Sequence, residues 1–379
     1  MSATTTTETI RTATTTTHET RARAVSLRWI IDARQDLVWF IGSVWSSYLL
    51  FALYVGGLVP LVWMVAAWAV LIDAPHVFGT LSRTYFDREE RRTRKRLLWW
   101  SLLFFAIGPS MVLAGAFIPA LAGSGLVFFF LAALWAYYHL VKQHYGFMVL
   151  YKKKNDDLAP VDNALDRLFL LLAFSYPFVA FVARDAEAMA RVPHALRGLV
   201  SYVEAALLVA TVCASLAWVG RQLQRAARRE PLDVPKYLLL AAAVPMHWVV
   251  LLTPMPHKPL AVVAILTIYH NFQYHRLIWF HNRKYARADA AESRQRYGAA
   301  ATISRRFLHY AVFGLLFGLW YAAPRQYVTW SRLDRLEQDL TAQLVLAFFW
   351  GYAFIHYHLD AHIWRVRRDR SVGQALNLS

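Results

Sequence analysis

The segment YYHLVKQHYGF (residues 137–147) closes a run that begins GLVFFFLAALWA (125–136). The whole stretch 125–151 is long enough to cross a bilayer, which takes about 20 apolar residues. Yet it carries His139, Lys142, Gln143 and His144. Polar side chains at that depth are costly and face the interior of a bundle or a site. A second stretch, IYHNFQYHRLIWFH (268–281), makes the same choice. Apolar blocks of this length decide the fold class, and the histidines inside them decide where to look for function.

The rest of the chain repeats the pattern. Of 379 residues 58% are hydrophobic, and they gather in long blocks rather than in period-2 alternation. The expected fold is an all-α, polytopic transmembrane bundle of about ten spans: roughly 37–58, 59–81, 97–118, 125–151, 165–183, 198–219, 236–256, 259–281, 304–321 and 341–364. The domain organisation that follows is a disordered Thr-rich tail (1–30), a membrane domain (31–366) and a C-terminal cytoplasmic tail (367–379). The first 20 residues hold 11 threonines and almost no apolar mass, and so have nothing with which to build a core. The single cysteine, Cys213, excludes an internal disulfide framework, a four-cysteine cluster and a CxxCH haem attachment.

Charge supplies the orientation. Of 41 Lys and Arg, 32 fall in the tails and the connections on one side, 7 fall on the other, and Lys142 and Arg276 lie within spans. Basic residues collect on the cytoplasmic face, so both termini are expected there, in a cell (inner) membrane. The formal charge of +17 is thereby a topological signal, and no nucleic-acid partner is needed to explain it.

With the orientation set, depth can be counted at about 1.5 Å per residue. His76, His144, His275 and His358 each precede a cytoplasmic basic residue by 7 or 8 positions, about 10–12 Å. His139, His247 and His270 form a deeper layer, and His356 falls between. Neutral imidazole is the commonest ligand for iron, zinc and copper. A cluster that shares an ion removes the penalty each would incur alone. The metal site is therefore expected toward the cytoplasmic side, among His76, His139, His144, His247, His270, His275, His356, His358 and His362. Asp73 and Asp360 stand close enough in sequence to ligate or to orient an imidazole. Two spacing limits apply. His139/His144 and His270/His275 are i, i+5 and diverge by about 140° on a regular helix. His356 and His358 point to nearly opposite sides, so one of them is the ligand. The bland alternative for a single membrane histidine is a hydrogen bond to a neighbouring helix.

The HxxxxH segments HLVKQH (139–144) and HNFQYH (270–275), with the late HYHLDAH (356–362), resemble the membrane di-iron oxygenases: fatty-acid desaturases, hydroxylases and alkane hydroxylases. HxxHH, found in that group, is absent here. Membrane carotenoid-cleaving dioxygenases, also multi-pass with scattered histidines, are a second resemblance. These imply an oxygen-dependent oxidoreductase with iron, two ions in the di-iron case, and a lipid or isoprenoid substrate in the bilayer. No GxGxxG motif is present, so the electron donor is expected to be separate. Two other classes remain open: a b-type haem protein with bis-histidine ligation, and a metal transporter or scaffold.

Overall fold

The computed structural model describes residues 25–332, 335, 336, 338–365 and 370–376. Among these, nine helices are long and apolar enough to cross a membrane: α1 (Ala33–Val55), α2 (Leu61–Thr84), α3 (Lys95–Phe117), α4 (Pro119–Lys154), α5 (Pro160–Arg184), α6 (His194–Ala227), α7 (Val234–Leu252), α9 (Phe307–Arg332) and α10 (Leu340–Ile363). The tenth expected span is also a helix, α8 (Lys258–Asn282), but it is not among the nine. Its histidines, Asn271, Gln273 and Arg276 make it more polar than they are. Placement explains the difference. Helix α8 is the most enclosed element, with Tyr269, Gln273, Tyr274 and Ile278 almost wholly buried, and it packs against α1, α2, α4 and α7. A helix wrapped by other helices does not need lipid-compatible side chains. The outer helix α6 shows the opposite case: Leu199, Tyr202, Val209, Leu216 and Leu223 are all exposed. Such a wide apolar face is unusual on a soluble protein and suits contact with lipid.

Proline sets a local irregularity in α2. Pro75 has no N–H, so the helical ladder loses a donor at that point. The preceding residues Ala69–Asp73 are π-helical, and the Ala74 N–H bonds the Ala69 carbonyl five residues back. Regular α-helix resumes over Ala74–Thr84, every residue of which is buried. Gly318 of α9 lies against this π segment, and a Cβ there would stand 2.2 Å from the Val70 carbonyl oxygen.

Buried ion pairs tie the basic end of α4, α5, α6 and α7 together. Lys152 pairs with Asp166; Lys236 pairs with Asp157 and Asp166; Arg225 pairs with Asp157; Arg221 pairs with Asp162. Parts of both expected tails are packed beside the bundle. Val25 and Ser26 pair in parallel with Leu232 and Asp233, Ile30 is wholly buried, and Val372, in a short helix near α8, and Leu376, just after it, are buried. Residues 1–24, 366–369 and 377–379 of those tails lie outside the described residues.

Candidate metal centre

Four helices each send one imidazole to a common point. His76 (α2), His139 (α4), His270 (α8) and His356 (α10) are all buried, and one nitrogen of each lies within 4.8 Å of the others. The rings form a closed circuit, with centroid separations of 4.4 Å (His76–His356), 4.7 Å (His356–His139), 5.3 Å (His139–His270) and 4.8 Å (His270–His76). Imidazoles that share an ion through bonds of about 2.1 Å place their centroids about 4.5–6.4 Å apart, depending on the angle at the metal. Three of the four separations fall in the lower part of that range, and the 4.4 Å between His76 and His356 lies just below it. The Nε2 atoms of His76, His139 and His356 have no hydrogen-bond partner. Buried polar atoms in folded proteins are almost always satisfied, so such a convergence of orphans marks a ligand site. This group can hold a metal ion.

The surroundings orient the rings. His356 Nδ1 lies 2.7 Å from Thr80 Oγ1, and that hydroxyl donates to Asp360 Oδ1 at 2.7 Å. Tyr274 OH donates to the same carboxylate oxygen at 2.8 Å. With Nδ1–H directed at Thr80, the lone pair of His356 rests on Nε2 and faces the other imidazoles. His76 Nδ1 lies 3.9 Å from Asp73 Oδ1, and Asn271 Nδ2 donates to that oxygen at 3.0 Å. His139 stacks on Tyr357, with centroids 4.4 Å apart and planes 25° apart. Asp73 and Asp360 therefore stand behind imidazoles and are not members of the group.

The remaining sequence candidates fall elsewhere. His76, His144, His275 and His358, matched by depth, do not converge; of these, His76 alone belongs to the group. Depth along a helix fixes height but not direction. Helix α4 is regularly α-helical over Ser124–Lys154, so His144, five positions after His139, turns away toward His247. His275 diverges from His270 in the same way, and its Nε2 lies 3.1 Å from the Ile72 carbonyl. His358 turns away from His356 toward Phe104, and its ring lies 4.7 Å from that of His362, whose Nδ1 bonds the His358 carbonyl. Thr80 and Tyr274 escaped the sequence reading. Each lies four residues after a member of the group, His76 or His270, and so shares its helical face.

A cavity of about 1200 Å³ runs from the group toward the opposite end of the bundle. Along α8 its wall extends from Pro259 to His270, about 16 Å of helix, and stops there. Leu126, Phe129, Leu134, Val262 and Leu266 line it, Asp73 and Arg325 also stand in its wall, and Gln338 and Arg191 lie at the far end. No family model, curated protein or solved structure matches the chain.

Proposed function

We propose that the protein is a membrane-embedded, histidine-ligated iron enzyme, an oxygen-dependent oxidoreductase acting on a lipid or isoprenoid. One observation carries this reading: four buried imidazoles from four helices converge at the inner end of a long, largely apolar cavity. Four neutral nitrogen ligands with no carboxylate in the group suit iron, and equally fit copper or zinc by donor type alone. The lipid-sized cavity and the resemblance in the histidine segments favour iron. Iron held by His76, His139, His270 and His356 would supply the redox chemistry by which O₂ attacks a C–H or C=C bond. The chain's own residues do the rest. Thr80 and Asp360 hold His356, Tyr357 holds His139, and the apolar wall aligns the substrate and excludes water.

The reading is of one ion rather than the two that a di-iron resemblance implies. Four ligands converge on one point, and His144 and His247 stand outside it. A haem fits less well, because a porphyrin would occupy the plane in which the four imidazoles meet. A transport path should continue past the site, whereas the cavity wall stops at the histidines. The basic ends of the helices are assigned to the cytoplasm, which places the site in that half of the membrane and the electron donor on that side.

The test is metal analysis and spectroscopy of protein purified in detergent, followed by oxygen uptake on addition of membrane lipids. About one iron per chain, no Soret band and lipid-stimulated uptake are expected. Protein without bound metal, or a strong Soret band, would overturn the reading.

A further inference from the structure

Two more buried imidazoles stand beside the group without joining it. His144 and His247 are both wholly buried. Each has its Nδ1 against the carbonyl four residues earlier on its own helix, Leu140 at 3.0 Å and Ala243 at 2.9 Å. Those carbonyls can only accept, so both imidazoles carry the proton on Nδ1 and a lone pair on Nε2. Neither Nε2 has a partner. The two rings are perpendicular, with centroids 5.5 Å apart, and Phe174 packs on both. The third unpaired nitrogen nearby is Nδ1 of His270, whose ring lies 6.5 Å from that of His144.

Distance decides what joins them. A shared ion brings centroids no farther apart than about 6.4 Å, and only when its two ligands are in line. A shared water, with hydrogen bonds of about 2.8 Å, places them about 5.5–6.8 Å apart at angles of 90–120°. The 5.5 Å between His144 and His247 is compatible with either, but the 6.5 Å between His144 and His270 exceeds what one ion spans and fits the water. The donor count agrees. A water has two hydrogens for the two fixed lone pairs and an oxygen to accept one N–H. We infer that His144 and His247 hold a buried water that accepts the Nδ1–H of His270 and so presents Nε2 of His270 to the other three imidazoles. His144 and His247 are then positioning residues for His270. A histidine that binds metal commonly donates its other N–H to such a partner, and loss of the partner costs 10–100-fold in metal affinity.

This inference rests on the four-histidine group being a metal centre. The experiment is Co(II) titration of full-length protein in detergent, with NMR of the paramagnetically shifted exchangeable imidazole protons. The expected result is one Co(II) per chain, and a slowly exchanging N–H signal that His247→Phe abolishes. His247→Phe should weaken Co(II) binding 10–100-fold, and His247→Gln, which restores an acceptor, should recover most of it. Wild-type protein that binds no Co(II) would defeat the metal centre itself. Tight binding and an unchanged N–H signal in His247→Phe would defeat only the water-held positioning. So would a second Co(II) per chain that is lost in His247→Phe, because His144 and His247 would then be ligands.

Discussion

The hydroxyl of Thr80 lies 2.7 Å from Nδ1 of His356, on a helix 276 residues away in sequence. The same hydroxyl donates to Asp360, one turn after His356 on α10. Thr80 thus links a carboxylate to an imidazole and fixes which nitrogen of His356 is free. Thr80→Val keeps the volume and shape but removes both hydrogen bonds. Metal affinity should fall by 10–100-fold, the usual effect of removing a group that orients a ligand. Competitive titration against a chelator measures it, and an unchanged affinity would show that the link does not orient the ring.

His356 and His358 separate the two sides of one helix. His356 is wholly buried in the group, whereas His358 lies near Phe104 and His362. His356→Ala should strip most of the bound metal. His358→Ala should leave metal content within a factor of two, by elemental analysis of folded protein. Equal loss in both variants would contradict the geometry described above.

The sequence made the helices legible because block length and polarity suffice to find a span. Its ten segments all became helices, including the polar α8. The convergence was less legible. Counting residues from the basic ends gave each histidine a height but no azimuth, so His144, His275 and His358 ranked above His139, His270 and His356. The i, i+5 spacing already held the correction: on a regular helix only one of each pair can face a given point. That His139 and His270 are the ones that do depends on how α4 and α8 rotate in the bundle, which packing sets. Thr80 was readable as the one-turn neighbour of His76, but a threonine in a buried helix more often bonds its own backbone.

Gly318 tests the support beneath His76. A Cβ there would meet the Val70 carbonyl at 2.2 Å, and that carbonyl belongs to the π segment that leads into His76. The contact is with backbone, so relief requires α2 and α9 to move apart. Gly318→Ala should destabilise the folded state by about 1–3 kcal/mol, the range for overpacking. It should also weaken metal binding, through displacement of His76. Thermal unfolding in detergent, with and without added metal, reads both effects. A variant as stable as wild type would mean that the two helices separate freely.

Asp233 lies outside the spans, between α6 and α7, and is almost wholly buried. Burial raises its pKa to about 7, against the lowering effect of the Lys236 N–H that it accepts. In the unfolded chain it titrates near the ordinary aspartate value of 3.8. Between those values the folded state holds a proton that the unfolded state has lost. Stability from this group therefore falls as pH rises from about 4 to about 7 and is level above that. Asp233→Asn, which mimics the protonated carboxyl, should show a smaller loss of thermal stability between pH 5 and pH 8 than wild type. Parallel curves for the two proteins would remove Asp233 as a source of the slope.

The cavity makes the last expectation, about substrate rather than metal. Ala136 lines it three residues before His139, on the same face of α4, and is partly exposed rather than tightly packed. A larger side chain there extends into the cavity near the imidazoles without replacing a ligand or a residue that orients one. Ala136→Phe should therefore retain its metal and fold, yet lose turnover of long apolar substrates by tenfold or more. Short substrates that reach the histidines without filling the cavity should lose much less. The measurement is oxygen uptake across a series of apolar substrates of increasing length, with metal content determined on the same preparation. If all lengths decline equally, the added ring acts on the metal centre and the cavity does not hold the chain. If none declines, the substrate approaches the histidines by another route.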